Sequence, residues 1–222
     1  MKQSITIVEK ILSANDRIAE QNRERLDTAG VLGLNCLASP GAGKTSLILR
    51  TIEALSADVR LAVIEGDTAP VTLDADRVIA AGVPAVQINT GGECHLDAVM
   101  LSNGLNGLSL QSVDLLIVEN VGNLVCTAAF ALGLHRTVLV ASVPEGADKP
   151  YKYPAIFRNL DALVLNKIDL LPYSEFDMAY FLRGAEALSP GVAVFPLSCR
   201  TGEGLAAWSA WLGAQVRSTR VP

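Results

Sequence analysis

The chain has 222 residues, half of them apolar, with a formal net charge of −5 and a pI near 5.1. That is enough chain for one sizeable core, and the acidic balance argues against a nucleic-acid or anionic-membrane surface. No apolar run approaches the roughly 20 residues of a membrane span and no apolar signal core opens the sequence, so a cytoplasmic location is expected, with Cys36, Cys94, Cys126 and Cys199 as reduced thiols.

In chain order, the first 27 residues place Ile5, Val8, Ile11, Leu12 and Ile18 at helical spacing with charges between them, which predicts an amphipathic helix packed on the main body. Residues 31–38, "VLGLNCLA", then form a continuous apolar run that leads into "ASPGAGKTS" and a helix-like stretch. Glycines there let backbone N–H groups turn toward phosphate oxygens, beside the positive end of the helix. Ser39, Pro40, Gly41, Ala42, Gly43, Lys44, Thr45 and Ser46 are therefore expected to cradle a nucleotide. Lys44 reaches the terminal phosphates and the Thr45 hydroxyl ligates magnesium. Ala38 stands where the strict pattern has glycine, which alanine can replace if that position needs no positive φ.

The second run, 60–65, ends in "IEGD" with Asp67. The third, 84–88, opens onto "NTGGECHLDA", where Cys94 and His95 are adjacent. The fourth, 114–119, ends in "VENVG" with Glu119 and Gly122, and Cys126 follows four residues later. Asp67 and Glu119 fit the water shell of a magnesium ion, whereas Asp74 and Asp76 read as helix-capping or solvated acids. The Gly122 N–H is placed to sense a γ-phosphate. No glutamine follows it to orient water and no arginine finger is evident, so slow hydrolysis is expected.

The fifth run is 136–142 and the sixth, 161–166, ends in "NKID". The Asp169 carboxylate can accept from both the ring N–H and the exocyclic amine of guanine, a donor pair that adenine lacks. Asn166 braces that loop and the Lys167 stem lies along the base. The seventh run, 192–197, precedes "SCRTG", in which Ser198 and Cys199 occupy a guanine-oxygen loop served by backbone N–H groups. Cys36 falls inside the first run and reads as core, and His135 reads as a surface residue. Continuous rather than alternating apolar runs, separated by helical stretches, predict an α/β fold: a P-loop NTPase with a mostly parallel sheet of about seven strands, as one domain over 1–222. Ligands then bind at the carboxyl ends of the strands.

"SPGAGKTS", "VIEGD", "PAVQINTGGECHLDA", "VENVGNLVC", "EGADKPYKYPAIF", "NKIDLLPY" and "TGEG" together resemble, in the same order, the hydrogenase nickel-incorporation GTPases of the HypB family. The resemblance runs from about residue 30 to residue 205 and is most specific at Cys-His-Leu-Asp-Ala. It implies a metallochaperone that uses GTP with Mg2+ in loading nickel into [NiFe] hydrogenase and that forms a homodimer with nucleotide. A nickel-binding accessory protein and the hydrogenase large subunit are the implied partners. It also implies a Ni2+ or Zn2+ site at the dimer interface, mapping onto Cys94, His95 and Cys126. Two thiolates and an imidazole suit either ion, and three ligands from one chain leave room for a symmetric partner's.

The sequence departs from that pattern in places. Its first 30 residues hold no Cys or His, so nickel storage is not expected, and Thr127, Ala131 and Leu134 replace a usual proline and two usual acids. Without the resemblance, Cys94-His95 remains open between metal ligation and loop packing, and the chain could be a nucleotide-gated scaffold with no metal. Two other readings fit less well. A urease-type nickel GTPase would show Cys-Pro-His, and a small-molecule P-loop kinase would need an arginine-rich lid.

Overall fold

The computed structural model describes residues 7–68 and 73–219, with side chains from residue 12 onward and residue 73 excepted. Seven strands, β1 (Leu32–Ala38), β2 (Leu61–Asp67), β3 (Ala85–Asn89), β4 (Leu115–Glu119), β5 (Arg136–Ser142), β6 (Ala162–Asn166) and β7 (Ala193–Pro196), form one sheet in the order β3-β2-β4-β1-β5-β6-β7. Every pairing is parallel. The strands follow the apolar runs closely, because a strand covered on both faces must be apolar throughout. β1, β4 and β6 are buried along their whole length, while the edge strands β3 and β7 are half-exposed.

The two-residue side-chain period of a strand divides the core by face. Leu34, Cys36 and Ala38 of β1 and Leu61 and Val63 of β2 point to the side covered by α2 (Lys44–Leu55) and α7 (Leu205–Thr219), against Ile48, Ile52, Trp208 and Leu212. Burying Trp208, 1 % exposed, is worth on the order of 3 kcal/mol. Its indole N–H is satisfied by donating to Thr51 Oγ1 at 2.9 Å. On the opposite face, Ala62, Ile64, Leu116 and Val118 pack under α1 (Ile7–Ala29) and α4 (Ala98–Leu105). Leu37, Leu139, Leu163 and Leu165 pack under Phe157 and Phe181 of the α6 (Met178–Leu188) side. The remaining α-helices among the described residues are α3 (Leu73–Ala80) and the single turn α5 (Lys149–Lys152).

The N-terminal helix is present, but the row it buries is not the one the apolar spacing suggests. Its most buried described positions are Asn15, Ala19, Asn22 and Leu26, at steps of four, three and four. Leu12 and Ile18 are only half-buried, Ile5 lies outside the described residues, and the side chains of Val8 and Ile11 do too. Two amides thus sit where an amphipathic reading expects alkyl groups. Among the described residues no helix is long and apolar enough to cross a membrane.

Candidate functional site

All seven parallel strands end at the same edge of the sheet, and the polar motifs gather there. Between β1 and α2 the chain turns through Gly41 (φ 75°) and Gly43 (φ 100°), left-handed values that a side chain rarely adopts. Gly43 has a second reason to be glycine, since a Cβ there would run into the Asn166 amide. Lys44 and Thr45 are the first residues of α2, at its positive end. The Ser39 hydroxyl meets the Glu145 carboxylate, which also accepts from the Ser142 N–H at 2.8 Å and the Ser142 hydroxyl at 2.9 Å. Gly122 lies against this loop: a Cβ on it would be 3.2 Å from Pro40 Cα.

Carboxylates crowd the Thr45 end. Thr45 Oγ1 is 3.0 Å from Glu119 Oε1 and 3.1 Å from Asp74 Oδ2. One hydroxyl proton can serve only one of them. Burial pushes Glu119 up to about 7, against Lys44 and Thr45, which pull it down. Glu65, beside Glu119 in the β2–β4 register, is also raised to about 7, by burial and then by Glu119, Asp74 and Asp67, and its Oε2 has no hydrogen-bond partner. Mg2+ takes much of its shell from water, so the Thr45 hydroxyl with one or two of these carboxylates is chemically suited to it. Asp67 ends β2 in the same acidic group. Asp74 sits in the first turn of α3, as a helix-capping or solvated acid would, and that turn also brings its carboxylate to Thr45, with Arg77 at 3.4 Å on its other side.

The loop after β6, where base recognition is expected, is tied to the glycine turn between β1 and α2. Asn166, 2 % exposed, donates from Nδ2 to Ala42 O at 3.0 Å and accepts at Oδ1 from the N–H groups of Lys167 (2.8 Å) and Cys199 (3.1 Å). Lys167 Nζ donates to Gly41 O at 2.6 Å. Asp169 accepts from the Ser198 hydroxyl at 2.7 Å, with Arg200 at 3.5 Å, and these partners, Ser198 first, hold its carboxyl below the usual range. Arg50 of α2 donates to Cys199 O at 2.8 Å.

The cysteine loops differ from expectation. Cys36 and Cys199 are buried free thiols, pushed up to about 12 and about 11, chiefly by burial. Cys94 and Cys126, expected as thiols, are joined in a disulfide with Cα atoms 6.2 Å apart. Turns at Thr90–Glu93 and Asn123–Cys126 bring the two backbones to bridging distance. His95 Nδ1 is 4.0 Å from Cys94 Sγ, and its ring stacks on Phe130 at 3.9 Å. Cys94, His95 and Cys126 are therefore neighbours but not a ready ligand triad. Among the described residues no group of three or more His, Cys, Asp or Glu is arranged to hold a metal ion. Thr127 is 3 % exposed and its hydroxyl donates to Asn123 O, closing the turn without a proline.

Two residues escaped the sequence reading. Asn120, 1 % exposed, accepts at Oδ1 from the Leu96 N–H (3.1 Å) and Val121 N–H (2.9 Å), joining the Gly122 loop to the Cys94–His95 loop. His135 is not a surface residue: its side chain is 13 % exposed, Nδ1 accepts from the Gly33 N–H at 2.9 Å and Nε2 meets Asp27 of α1 at 2.7 Å.

Residues 34–196 match the family described as CobW/HypB/UreG, nucleotide-binding domain. The chain is 49 % identical over 217 residues to the hydrogenase maturation factor HypB of Azotobacter vinelandii, a match covering 98 % of this chain and 71 % of that one. Among solved structures, HypB of Archaeoglobus fulgidus superposes with a TM-score of 0.86 at 38 % identity, over 92 % of this chain and 100 % of that one. HypB of Helicobacter pylori, solved in complex with nickel, superposes with a TM-score of 0.88 at 34 % identity, over 94 % and 98 % of the two chains.

Proposed function

The chain belongs to the HypB family of hydrogenase maturation factors, within the CobW/HypB/UreG nucleotide-binding domains, and from that premise we propose that it is a GTP-hydrolysing metallochaperone that delivers nickel during [NiFe]-hydrogenase maturation. It acts as one cytoplasmic domain that dimerises on binding GTP, takes its ion from an accessory protein and passes it to the hydrogenase large subunit.

The observation that carries this reading is the short stretch after β4. Glu119 faces Thr45, Asn120 holds Leu96, Gly122 lies on Pro40, and Cys126 meets Cys94. A shift of Gly122 toward a γ-phosphate therefore moves the Cys126 backbone and, through Asn120, the loop of Cys94 and His95. Asp169 reads guanine, held by Ser198 and Arg200, while Lys44 and the backbone of Ser39–Ser46 hold the phosphates. Magnesium would be held by Thr45 and Glu119 with Asp67 or Asp74, and supplies the positive charge that shields phosphate oxygens from these carboxylates. No glutamine follows Gly122 in the sequence to orient an attacking water, so hydrolysis is slow and works as a timer.

Nickel, with zinc as its competitor, is the cargo of Cys94, His95 and Cys126. The pair must be reduced to bind it, since only thiolates ligate. Three ligands per chain become a full set across a two-fold axis. The test is a titration of reduced protein with Ni2+ and Zn2+ in the presence of GDP and of a non-hydrolysable GTP analogue, with oligomeric state measured alongside. GTP should tighten metal binding by roughly 5–150-fold, and metal should tighten GTP binding or dimerisation by the same factor. Equal metal affinity in both nucleotide states, or parental affinity in Cys94→Ala and Cys126→Ala, would sink the reading.

A further inference from the structure

The loops that carry Cys94–His95 and Cys126 leave different strands, and both are tied to one helix that belongs to neither. Asn15 of α1 accepts at Oδ1 from the Ala98 N–H at 2.8 Å and donates from Nδ2 to Ala131 O at 2.8 Å. Asn22, two turns on, donates from Nδ2 to Ala98 O at 2.8 Å and to Leu132 O at 3.3 Å. Arg23 Nε continues the row by donating to Gly133 O at 2.9 Å. Ala98 lies three residues after His95 and Ala131 five residues after Cys126, so each amide touches both loops just downstream of their ligands. Asn15 is 6 % exposed and Asn22 fully buried.

We infer that Asn15 and Asn22 are positioning residues that make α1 a splint across the Cys94, His95 and Cys126 site, fixing the separation at which the two cysteine sulfurs share one partner; the inference rests on the metal reading of those residues. Ala98 begins α4, so its N–H has no acceptor within its own helix and needs one from outside. Asn15 supplies it and fixes Ala131 with the same side chain. Asn22 Oδ1 has no hydrogen-bond partner. A leucine would fill that space without stranding an oxygen, so the amide serves the two carbonyls its N–H groups hold. Asn120 closes the upstream side by holding Leu96 to the β4 loop. The amides place ligand-bearing backbone without touching metal.

The experiment compares Asn15→Asp, Asn15→Ser and Asn22→Ala with the parent and with Thr51→Val. The Asn15→Asp change keeps the acceptor for the Ala98 N–H and loses the donor to Ala131 O, so it frees only the Cys126 side. Asn15→Ser adds no charge and serves if the aspartate variant does not fold. Thr51→Val strands the buried Trp208 N–H on the other face of the sheet and controls for destabilisation alone. Three quantities are read: Ni2+ affinity of reduced protein with its sulfur-to-nickel charge-transfer band, GTP affinity, and the equilibrium of the Cys94–Cys126 pair with glutathione. In that exchange two protein thiols and one oxidised glutathione give the protein disulfide and two reduced glutathiones.

Loosening the splint should lower nickel affinity by about 10- to 100-fold and alter the band. It should lower the effective molarity of the cysteine pair by about tenfold or more, with GTP affinity within about twofold of the parent. Thr51→Val should leave all three unchanged. The inference is overturned if the asparagine variants keep the parental glutathione equilibrium and nickel band, or if Thr51→Val shifts them equally. A parent that binds no nickel or zinc would instead refute the metal reading, and the glutathione equilibrium alone then decides whether the amides set the cysteine separation.

Discussion

The phosphate and base loops and the cysteine loops lie at the same end of the sheet and are held in opposite ways. Around the nucleotide loop, the residues that shape the site are themselves part of the motifs. Gly43 turns because glycine can, and Asn166 and Lys167 brace Ala42 and Gly41 from within "NKID". Around Cys94 and Cys126 the motifs supply the ligand candidates and one tie, Asn120 within "VENVGNLVC", while Asn15 and Asn22 of α1 hold the downstream backbone of both loops from elsewhere in the chain. The difference teaches that a motif can carry both chemistry and geometry, or chemistry with part of its geometry borrowed from a distant element.

The sharpest way to break the comparison is at Lys44. Lys44→Ala should abolish GTP hydrolysis and greatly weaken triphosphate binding, because the phosphate charge loses its principal counter-charge. The fold should persist, as Lys44 is half-exposed and stands at a helix start rather than in the core. Thermal melting and single-turnover hydrolysis measure the two halves; unchanged turnover would mean the loop does not bind phosphate. Next in size is Asp169→Asn, which replaces a charged acceptor pair with an amide. GTP should weaken by on the order of 2–4 kcal/mol, roughly 30- to 900-fold, while xanthosine triphosphate gains. Unaltered GTP affinity would detach this loop from base recognition.

A smaller effect separates Asp74 from Asp67 within the acidic group near Thr45. Asp74 contacts the Thr45 hydroxyl at 3.1 Å. Loss of one such charge-assisted bond amounts to about tenfold, so Asp74→Asn should slow Mg2+-dependent hydrolysis by that order and Asp67→Asn by less. The reverse ranking would restore Asp67 as the nearer of the two to the bound cation.

These residues also mark what was legible in the sequence. All seven strands and the P-loop architecture were, because continuous apolar runs and a glycine turn between strand and helix are local signals. The residues assigned to phosphate and base, after β1, β6 and β7, fell at one edge of the sheet because parallel strands end together there. Asn15 and Asn22 were not legible: a polar side chain at a helical position reads as solvent-facing unless the carbonyls above it are known. Asp74 was read as a cap because its own helix gives it a local task, and only folding brings Thr45 to it. The Cys94–Cys126 pairing was hidden by its 32-residue separation and by the expectation of a reducing compartment. His135 was a lone histidine just ahead of the fifth apolar run, with nothing nearby to show that Gly33 and Asp27 would converge on it.

His135 gives the smallest and last test, since it ties the splint helix to the sheet. Its Nδ1 accepts from the Gly33 N–H, which requires the neutral ring, and its Nε2–H donates to Asp27. Protonating Nδ1 would break the first bond. Burial is the largest influence and lowers the pKa, Arg23 and Arg136 add to that lowering, and Asp27 opposes it with the net shift still downward. The folded protein therefore binds fewer protons at this site than the unfolded chain, whose histidine titrates near 6.5. By linkage, the His135 contribution is complete above about pH 6.5 and is lost as pH falls from there through the lower folded pKa. The loss should be on the order of 1 kcal/mol, the worth of one buried hydrogen bond. Urea unfolding across pH 5–8 should show stability declining on the acid side in the parent, about pH 6.5 downward, with a flatter profile in His135→Gln. If α1 is held chiefly by Asn15, Asn22 and Leu26, that variant should keep the parental glutathione equilibrium at Cys94–Cys126. A shift as large as that of Asn15→Asp would mean the splint depends on its far end as much as on the amides.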